Sequence, residues 1–191
     1  MSIILASASP RRRELLERMG LEFEVRTANH DETMDPGKPA EEEVRRVSAL
    51  KAEAVKPLCS AGDVIIAADT IVVSDGYVMG KPATVQEACD MLRRLSGSKH
   101  QVITGLSVCR DDERCSVSVT TDLRFRELSE AEIAAYVATG EPMDKAGAYG
   151  IQGLAAMFVE GLNGDYYNVM GLPVCTLAGI LRRFGVELLG C

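Results

Sequence analysis

The run Asp63-Val-Ile-Ile-Ala-Ala-Asp69-Thr70-Ile-Val-Val73 is apolar, β-branched and of strand length, yet it carries a carboxylate in its middle. In an unbroken strand, the face that bears Asp69 is otherwise built from Ile65, Ala67, Ile71 and Val73. An ionised carboxylate on such a face is costly unless a cation pairs with it or a metal binds it. The alternative is a chain turn at Asp69-Thr70, in which the aspartate bonds to local backbone.

Length and composition describe an ordinary globular chain. Its 191 residues suggest one domain or two small lobes, and 47% hydrophobic with 26% charged residues is a typical balance. Trp is absent and aromatic residues make up 5%, so the predicted core is aliphatic. The net charge of -7 argues against a nonspecific nucleic-acid binder but allows a small anionic ligand in a local basic pocket.

The cysteines and histidines do not indicate a zinc site. No two cysteines form a CxxC pair, and neither His30 nor His100 stands near a cysteine at zinc spacing. We therefore expect a cytoplasmic protein whose cysteines are reduced and mostly buried: Cys59, Cys89, Cys109, Cys115, Cys175 and Cys191. No run of the sequence is long enough to span a membrane, so we expect no membrane partner.

An arginine cluster stands at the predicted start of the first helix. Ser9 is placed as its N-cap and Pro10 as its first residue. The next three residues are Arg11, Arg12 and Arg13, which have the wrong sign for the helix dipole, and Arg12 falls on the face of the apolar stripe. The pattern predicts an anion that is bound by backbone N–H groups, serine hydroxyls and guanidinium groups. The alternative is a solvated basic turn.

Two lysines add to this cationic pattern. A helix predicted from Ala40 to Lys56 places Lys51 on or beside an inward stripe of Val44, Val47, Leu50 and Ala54. Lys81 lies in Gly80-Lys81-Pro82, where the proline favours an extended lysine. The alternatives are that Lys51 reaches past the apolar face to solvent, and that Lys81 is an ordinary exposed loop lysine.

The remaining pattern predicts an α/β protein with a mixed sheet, flanking helices and a cleft between two lobes. Thr84-x-x-Glu87 and Ser129-x-x-Glu132 are capping boxes, and the first opens a helix with Val85, Ala88, Cys89, Leu92 and Leu95 inward. Residues 102–108 and 117–125 alternate and form a long hairpin, and Asn163-Gly164 predicts a second hairpin turn. Small residues within 144–153 suggest backbone that approaches a ligand.

Several of these segments, in this order, resemble the Maf family of nucleoside triphosphate pyrophosphatases. They are Leu5-Ala-Ser-Ala-Ser-Pro-Arg-Arg-Arg-Glu-Leu-Leu16, Ala67-Ala-Asp-Thr70, Gly80-Lys-Pro82, Thr104-Gly105, Asp144-Lys-Ala-Gly-Ala-Tyr-Gly-Ile-Gln-Gly153 and Asn168-Val-Met-Gly-Leu-Pro173. The resemblance covers nearly the whole chain, and so implies a single Maf-like domain over residues 1–191. One departure is Ala8, where many members have glycine.

The resemblance implies an enzyme that hydrolyses nucleoside triphosphates to monophosphate and pyrophosphate with a divalent metal, Mg²⁺, Mn²⁺ or Co²⁺. It also implies an architecture like that of the inosine triphosphate pyrophosphatases, and the branch of the family that acts on dTTP and UTP. Alternatives are a pyrophosphatase for modified purine nucleotides and a non-catalytic regulator of cell division and septum formation. The resemblance is compatible with either a monomer or a homodimer.

The expected roles follow from joining this resemblance to the charge pattern. Asp69 would act as the catalytic base and would share the metal with Glu32. The triphosphate would be held by Ser7, Ser9, Arg12, Lys51 and Lys81. The resemblance assigns base selection to Arg11, Thr70 and Gln152.

Overall fold

The structure is a computed structural model that describes residues 1–29 and 31–189. The described residues form seven strands: β1 (Ile3–Leu5), β2 (Glu24–Val25), β3 (Val64–Ser74), β4 (Tyr77–Met79), β5 (Lys99–Arg110), β6 (Glu113–Phe125) and β7 (Val159–Asn163). They also form six α-helices: α1 (Pro10–Arg18), α2 (Ala40–Val55), α3 (Val85–Leu95), α4 (Glu130–Ala138), α5 (Tyr166–Val169) and α6 (Val174–Arg183). Short 3₁₀ segments cover Lys56–Leu58, Glu141–Asp144, Ala146–Ala148 and Leu154–Phe158.

The strands form one mixed sheet in the order β2-β1-β3-β5-β6-β7, and β4 pairs with β3. Strand β1 runs parallel to β2 and β3, whereas β4 is antiparallel to β3 and β7 is antiparallel to β6. Strand β3 continues through Asp69 and Thr70 without a break, which excludes the alternative of a chain turn there. The predicted α/β class with a mixed sheet and flanking helices is therefore confirmed.

The chain divides into two compact units, each built from separate segments. The first contains Met1–Asp69, Thr104–Val119 and the chain from Gly171 onward. The second contains Thr70–Ile103 and Thr120–Met170.

In the first unit, helix α2 lies unusually close to strand β5. A Cβ atom built on Gly105 would stand 2.1 Å from the backbone oxygen of Val44, so only glycine fits at this point. Beside it, the hydroxyls of Ser48 and Ser107 are 2.8 Å apart, and Ser107 is 2.8 Å from the hydroxyl of Ser116. Apolar packing continues along the same layer through Ile4, Ala6, Ala52, Val55, Ile65, Ala67 and Cys109.

The inward stripe of α2 differs from the predicted one at Leu50, which is exposed. The buried stripe runs through Val44, Val47, Ser48, Lys51 and Val55. At 100° per residue, Leu50 lies about 120° away from Val44 around the helix, outside this stripe. Lys51 lies on the stripe, as predicted.

The second unit departs from prediction at two places. Val85 is exposed because it is the first residue of α3, so the covered stripe begins at Ala88 and includes Met91. Asn163-Gly164 does not turn a hairpin: residues 159–163 pair with β6, and the chain then enters the short helix α5. The Asp165 side chain caps that helix by accepting the Tyr167 N–H at 2.8 Å.

The cysteine prediction holds in part. Cys59, Cys89, Cys109, Cys115 and Cys175 are thiols without a disulfide, but only Cys109 is buried and Cys175 is exposed. His30 and Cys191 lie outside the described residues. Within residues 1–29 and 31–189, no helix combines the length and the apolar character that crossing a membrane requires.

Candidate active site

The loop between β1 and α1 arranges hydroxyls and a guanidinium at the start of a helix. Ser9 is the N-cap of α1, with extended backbone and no side-chain capping bond, and Pro10 is the first helical residue. The Ser7 hydroxyl oxygen accepts the Ser9 N–H at 3.2 Å and Nη1 of Arg12 at 3.0 Å. The helix start therefore has the form expected of an anion site, with Ser7 and Arg12 already oriented towards each other.

Arg12 is buried on the same face as Leu15 and Leu16, as predicted. Its Nε donates to the backbone oxygen of Gly171 at 2.8 Å, which anchors the guanidinium from its inner side. Burial lowers the pKa of Arg12, whereas the charge of Asp69 opposes that shift. The guanidinium therefore stays charged and lies within electrostatic range of the central carboxylate.

Asp69 is paired with Lys51 across the layer between β3 and α2. Lys51 Nζ lies 2.6 Å from Asp69 Oδ1, and the two side chains are only 10% and 13% exposed. The same ammonium lies 3.1 Å from Glu32 Oε1, a carboxylate that is 59% exposed. Two carboxylates thus converge on one cation, and this pairing explains how Asp69 is tolerated on an otherwise apolar face.

The loop that carries Glu32 is held by helix α2. Glu43, which is buried, accepts the Asp35 N–H at 2.8 Å, and Arg46 Nη2 donates to the Thr33 backbone oxygen at 2.6 Å. Arg46 also pairs with Glu43 at 2.7 Å and lowers the pKa of that carboxyl to about 2. The sequence identifies Glu43 only as an acid suited to a helix start, because its buried contacts depend on a loop that periodicity does not describe.

Glu32 and Asp69 fit a divalent metal by the chemistry of their oxygens. Mg²⁺ is commonly bound by one or two carboxylates together with water and substrate phosphates, and Mn²⁺ prefers similar ligands. Because one ammonium reaches both carboxylates, one cation can be shared by the pair. Among the described residues, no group of three or more His, Cys, Asp and Glu side chains could hold a metal by itself.

The second unit carries Thr70, Lys81 and Gln152. Thr70 is half-buried in β3, directly after Asp69, while Lys81 and Gln152 are exposed. The Gly80 backbone oxygen accepts the Gly147 N–H at 3.0 Å, which joins the loop of Lys81 to the segment of Gln152. Gly147 has a φ of +68°, and a Cβ atom there would stand 2.7 Å from a methyl of Val72. This segment is therefore packed tightly against β3.

The glycines at 150 and 153 lie against two side chains of the protein itself. A Cβ atom on Gly153 would stand 2.1 Å from Glu141 Oε1, and one on Gly150 would stand 2.6 Å from Lys145 Cε. The space beside these glycines is thus filled by the side chains of Glu141 and Lys145. Sequence reasoning did not single out Glu141, since its neighbours come from distant turns.

The predicted residues therefore fall into two sets. The first unit brings Ser7, Arg12, Lys51, Asp69 and Glu32 together, and Arg11 lies close enough to lower the pKa of Arg12. Ser9 belongs to the same helix start. The second unit holds Thr70, Lys81 and Gln152. The roles assigned to these residues remain predictions.

Comparison with known proteins places the chain in a family. A solved structure, the Ham1 protein of Staphylococcus aureus, aligns with a TM-score of 0.53 over 96% of this chain and 99% of its own, at 14% identity, which shows a shared fold. A dTTP/UTP pyrophosphatase of Anaeromyxobacter sp. (strain Fw109-5) is 50% identical over 188 residues, 96% of this chain and 89% of the relative. A protein of the same name from Desulforamulus reducens (strain ATCC BAA-1160 / DSM 100696 / MI-1) is 45% identical over 97% of this chain and 98% of its own. Since the family model for Maf-like proteins also matches residues 2–184, the chain belongs to the Maf family.

Proposed function

We propose that this protein hydrolyses nucleoside triphosphates, dTTP and UTP in preference to others, to the monophosphate and pyrophosphate. The observation that carries the proposal is the convergence of Lys51 and Arg12 on the carboxylate of Asp69, with the Ser7 hydroxyl bonded to the Arg12 guanidinium. The similarity of nearly the whole chain to proteins named dTTP/UTP pyrophosphatase supports it. Residues 1–191 would form a single Maf-like domain, and the free thiols and the substrate class favour the cytoplasm.

The phosphates would be held by charge and by hydrogen bonds. Arg12 would present its guanidinium at the start of α1, where backbone N–H groups and the hydroxyls of Ser7 and Ser9 also favour an anion. Lys51 and Lys81 would supply compact positive charges to a polyphosphate. These interactions would grow stronger as negative charge accumulates during cleavage, which is how they would accelerate the reaction.

Asp69 would act as the general base. It would take a proton from a water molecule that attacks the α-phosphorus; a P–O bond forms to that water, the bond to the bridging oxygen breaks, and pyrophosphate leaves with the electron pair. Glu32 and Asp69 are the residues that would hold Mg²⁺, Mn²⁺ or Co²⁺. When bound, the metal supplies Lewis-acid stabilisation of the charge on the phosphoryl oxygens.

Arg11, Thr70 and Gln152 would select the base. A glutamine amide carries both donors and an acceptor, so it can pair with the imide edge that uracil and thymine share. Cytosine carries an amino group where these bases carry a carbonyl, so it would leave one group unpaired. A single methyl is tolerated more easily, so the site would accept both dTTP and UTP.

Pyrophosphate release from a panel of dTTP, UTP, CTP, ATP and GTP with Mg²⁺ or Mn²⁺ tests the proposal. We expect kcat/KM for dTTP and UTP to exceed that for CTP and GTP by roughly tenfold or more, since a site that pairs a polar edge discriminates strongly. A preference for purine nucleotides would instead favour a pyrophosphatase for modified purines, and no turnover would favour a non-catalytic regulator. A homodimer is compatible with the proposal, and light scattering of the purified protein measures it.

A further inference from the structure

The carboxylate of Glu141 uses both of its oxygens to hold the segment around Gln152. Oε1 accepts the hydroxyl of Tyr136 at 2.9 Å, and Oε2 accepts the backbone N–H of Leu154 at 3.1 Å. The Tyr136 hydroxyl in turn accepts the backbone N–H of Gly150 at 3.2 Å. The backbone N–H groups of Gly150 and Leu154, two residues before and two residues after Gln152, therefore donate to the linked side chains of Tyr136 and Glu141.

The backbone between these two amides forms a tight turn. The Gly153 N–H donates to the Gly150 oxygen at 3.0 Å, which places Gln152 at the third position of the turn. Glu141 lies so close to Gly153 that no side chain could be accommodated there without displacing the carboxylate. Lys145 lies against Gly150 and donates from Nζ to the Glu141 backbone oxygen at 2.6 Å. Tyr136 and Glu141, which hold this turn by hydrogen bonds, are called the clamp below. Glycine at positions 150 and 153 leaves the space that the clamp and Lys145 occupy.

We propose that Tyr136 and Glu141 are positioning residues that orient Gln152 and so set the discrimination between a uracil or thymine edge and a cytosine edge. This inference rests on the proposed function. An exposed glutamine between flexible glycines would sample many orientations, whereas discrimination by hydrogen bonds requires one orientation to be held. The clamp supplies that restraint without contacting the nucleotide.

The chemistry of the clamp explains why these two residue types are needed. A glutamine at position 141 would keep one accepting oxygen and replace the other by an NH₂ group. It therefore could not accept hydrogen bonds from both Tyr136 and Leu154, as the carboxylate does. A phenylalanine at position 136 would remove the shared hydroxyl, yet would keep the packing of this ring on Phe158, whose centroid is 5.1 Å away. Both substitutions loosen the turn and leave the apolar surroundings of α4 intact.

A double-mutant cycle tests the inference. We expect Tyr136→Phe to lower the ratio of kcat/KM for dTTP to that for CTP by roughly fivefold, the scale of coupling between neighbouring residues. Most of the change should appear in KM for dTTP. In a Gln152→Ala background, Tyr136→Phe should cause no further change in this ratio. Glu141→Gln should behave like Tyr136→Phe, while Tyr166→Phe, at an exposed tyrosine of the same unit, should leave the ratio unchanged.

Hydrogen exchange in the nucleotide-free protein gives a readout that does not depend on activity. The amide of Gly150 should exchange at least tenfold faster in Tyr136→Phe, because its acceptor is lost. The amide of Leu154 should exchange faster in Glu141→Gln, because the carboxylate is replaced by a neutral amide with one accepting oxygen. Unchanged exchange would overturn the clamp itself. Faster exchange with an unchanged dTTP-to-CTP ratio, or an equal change of the ratio in the Gln152→Ala background, would overturn its role in base selection. A wild-type protein that does not prefer dTTP to CTP would overturn the proposed function, and the positioning role with it.

Discussion

Asp69 is a charged residue on the apolar face of its strand. Its face is apolar, and the energetic cost of its charge is offset by the ammonium of Lys51 at 2.6 Å. Asp69→Asn keeps nearly the same shape and an acceptor for Lys51, and Glu32 remains next to that ammonium, so the fold should persist. Turnover of dTTP should fall by roughly 10²- to 10⁴-fold, the contribution of a positioned general base.

Steady-state pyrophosphate release at saturating dTTP measures this effect, with circular dichroism to establish that the Asn variant is folded. A folded Asn variant with wild-type turnover would show that Asp69 is not the base.

Lys51 occupies the place that the two carboxylates would offer to a metal. A divalent cation must compete with this ammonium for Glu32 and Asp69 in the nucleotide-free protein. We therefore expect Lys51→Met to bind Mn²⁺ roughly tenfold more tightly without nucleotide, a change of about 1.4 kcal/mol. The same variant should lose turnover, because it lacks a phosphate ligand.

Titration calorimetry with Mn²⁺ alone measures the affinity in this experiment. Lys56→Met is the matched control, since Lys56 follows α2 directly and lies near Asp112, with Nζ 3.6 Å from its Oδ1. An affinity that is the same in wild type and Lys51→Met would contradict competition between the ammonium and the metal.

Arg12 and Arg13 are adjacent in sequence but differ in burial and in bonding partners. Arg12 is buried and bonded to Gly171, whereas Arg13 is exposed and pairs with Glu17. Arg12→Ala should lower kcat/KM for dTTP by an amount equivalent to about 1.5–3 kcal/mol, and Arg13→Ala should change it little. Equal effects of the two substitutions would point to general charge attraction and not to a specific phosphate contact.

The stability of the Arg12→Ala variant depends on two opposing effects of Arg12, its repulsion by the helix dipole and its hydrogen bonds. The helix dipole alone would make Arg12 unfavourable in the first turn of α1. The structure adds hydrogen bonds to the Gly171 oxygen and the Ser7 hydroxyl, so its removal should reduce the free energy of unfolding by about 1–3 kcal/mol.

At the scale of secondary structure, the position of Lys51 depends on how closely α2 approaches β5. Gly105→Ala would place a methyl 2.1 Å from the Val44 oxygen and 2.5 Å from its carbonyl carbon, and backbone cannot yield as a side chain can. Helix α2 must then move away from β5 and carry Lys51 from Asp69. We expect a loss of about 1–3 kcal/mol in the free energy of unfolding, together with a fall in turnover of roughly tenfold or more.

Gly161→Ala in β7 is the control for Gly105→Ala, because no atom of the described residues lies within 4 Å of the added methyl. Urea unfolding and dTTP turnover of both variants measure the effect. Normal stability and turnover in Gly105→Ala would show that the approach of α2 does not position Lys51.

The elements show which parts of the structure can be predicted from local pattern. The start of α1 at Ser9-Pro10 and the capping box at Ser129 depend on neighbouring residues, and both were predicted correctly. The hairpin at Asn163-Gly164 was wrong because pairing of β7 with β6 and the cap at Asp165 outweigh the local turn preference. The clamp of Glu141 could not be predicted, since it joins 3₁₀ turns whose geometry leaves no periodic signal.

At the scale of the whole molecule, the net charge of -7 conceals a local concentration of cations in the first unit. The sequence located Arg12, Lys51 and Asp69 as candidates because each contradicts the expected charge pattern of its element. It did not show that Lys51 lies between the carboxylates of Glu32 and Asp69, because that contact joins a loop, a helix and a strand. Patterns of charge identify unusual residues, whereas only tertiary packing determines their partners.

The stability of the whole molecule should also depend on one buried histidine. His100 is buried in the second unit, where its Nε2 lies 2.9 Å from the Tyr149 hydroxyl and its ring packs edge-on against Phe125 and Tyr149. Its Nδ1 has no hydrogen-bond partner in the described part of the chain. Burial in this aromatic cluster disfavours the charged imidazolium and lowers the pKa of His100 to about 4.

The folded protein therefore binds a proton to His100 less readily than the unfolded chain, whose histidine pKa is about 6.5. Stability from neutral His100 is fully present above that value and is lost as pH falls towards 4. Between pH 7 and pH 5 the free energy of unfolding should fall by about 2 kcal/mol from this group. Glu43 and Glu132, whose pKa values are lowered to about 2, should contribute only at lower pH.

Urea unfolding of wild type and His100→Gln at pH 7, 6 and 5 measures this contribution. The variant should be less stable at pH 7, because the aromatic cluster loses its ring, yet it should lose about 2 kcal/mol less than wild type on acidification to pH 5, since glutamine does not titrate. The comparison cancels every other group that titrates in this range in both proteins. An equal loss in the two proteins would mean that His100 accepts its proton in the folded state as easily as in the unfolded chain, and that its burial does not control acid stability.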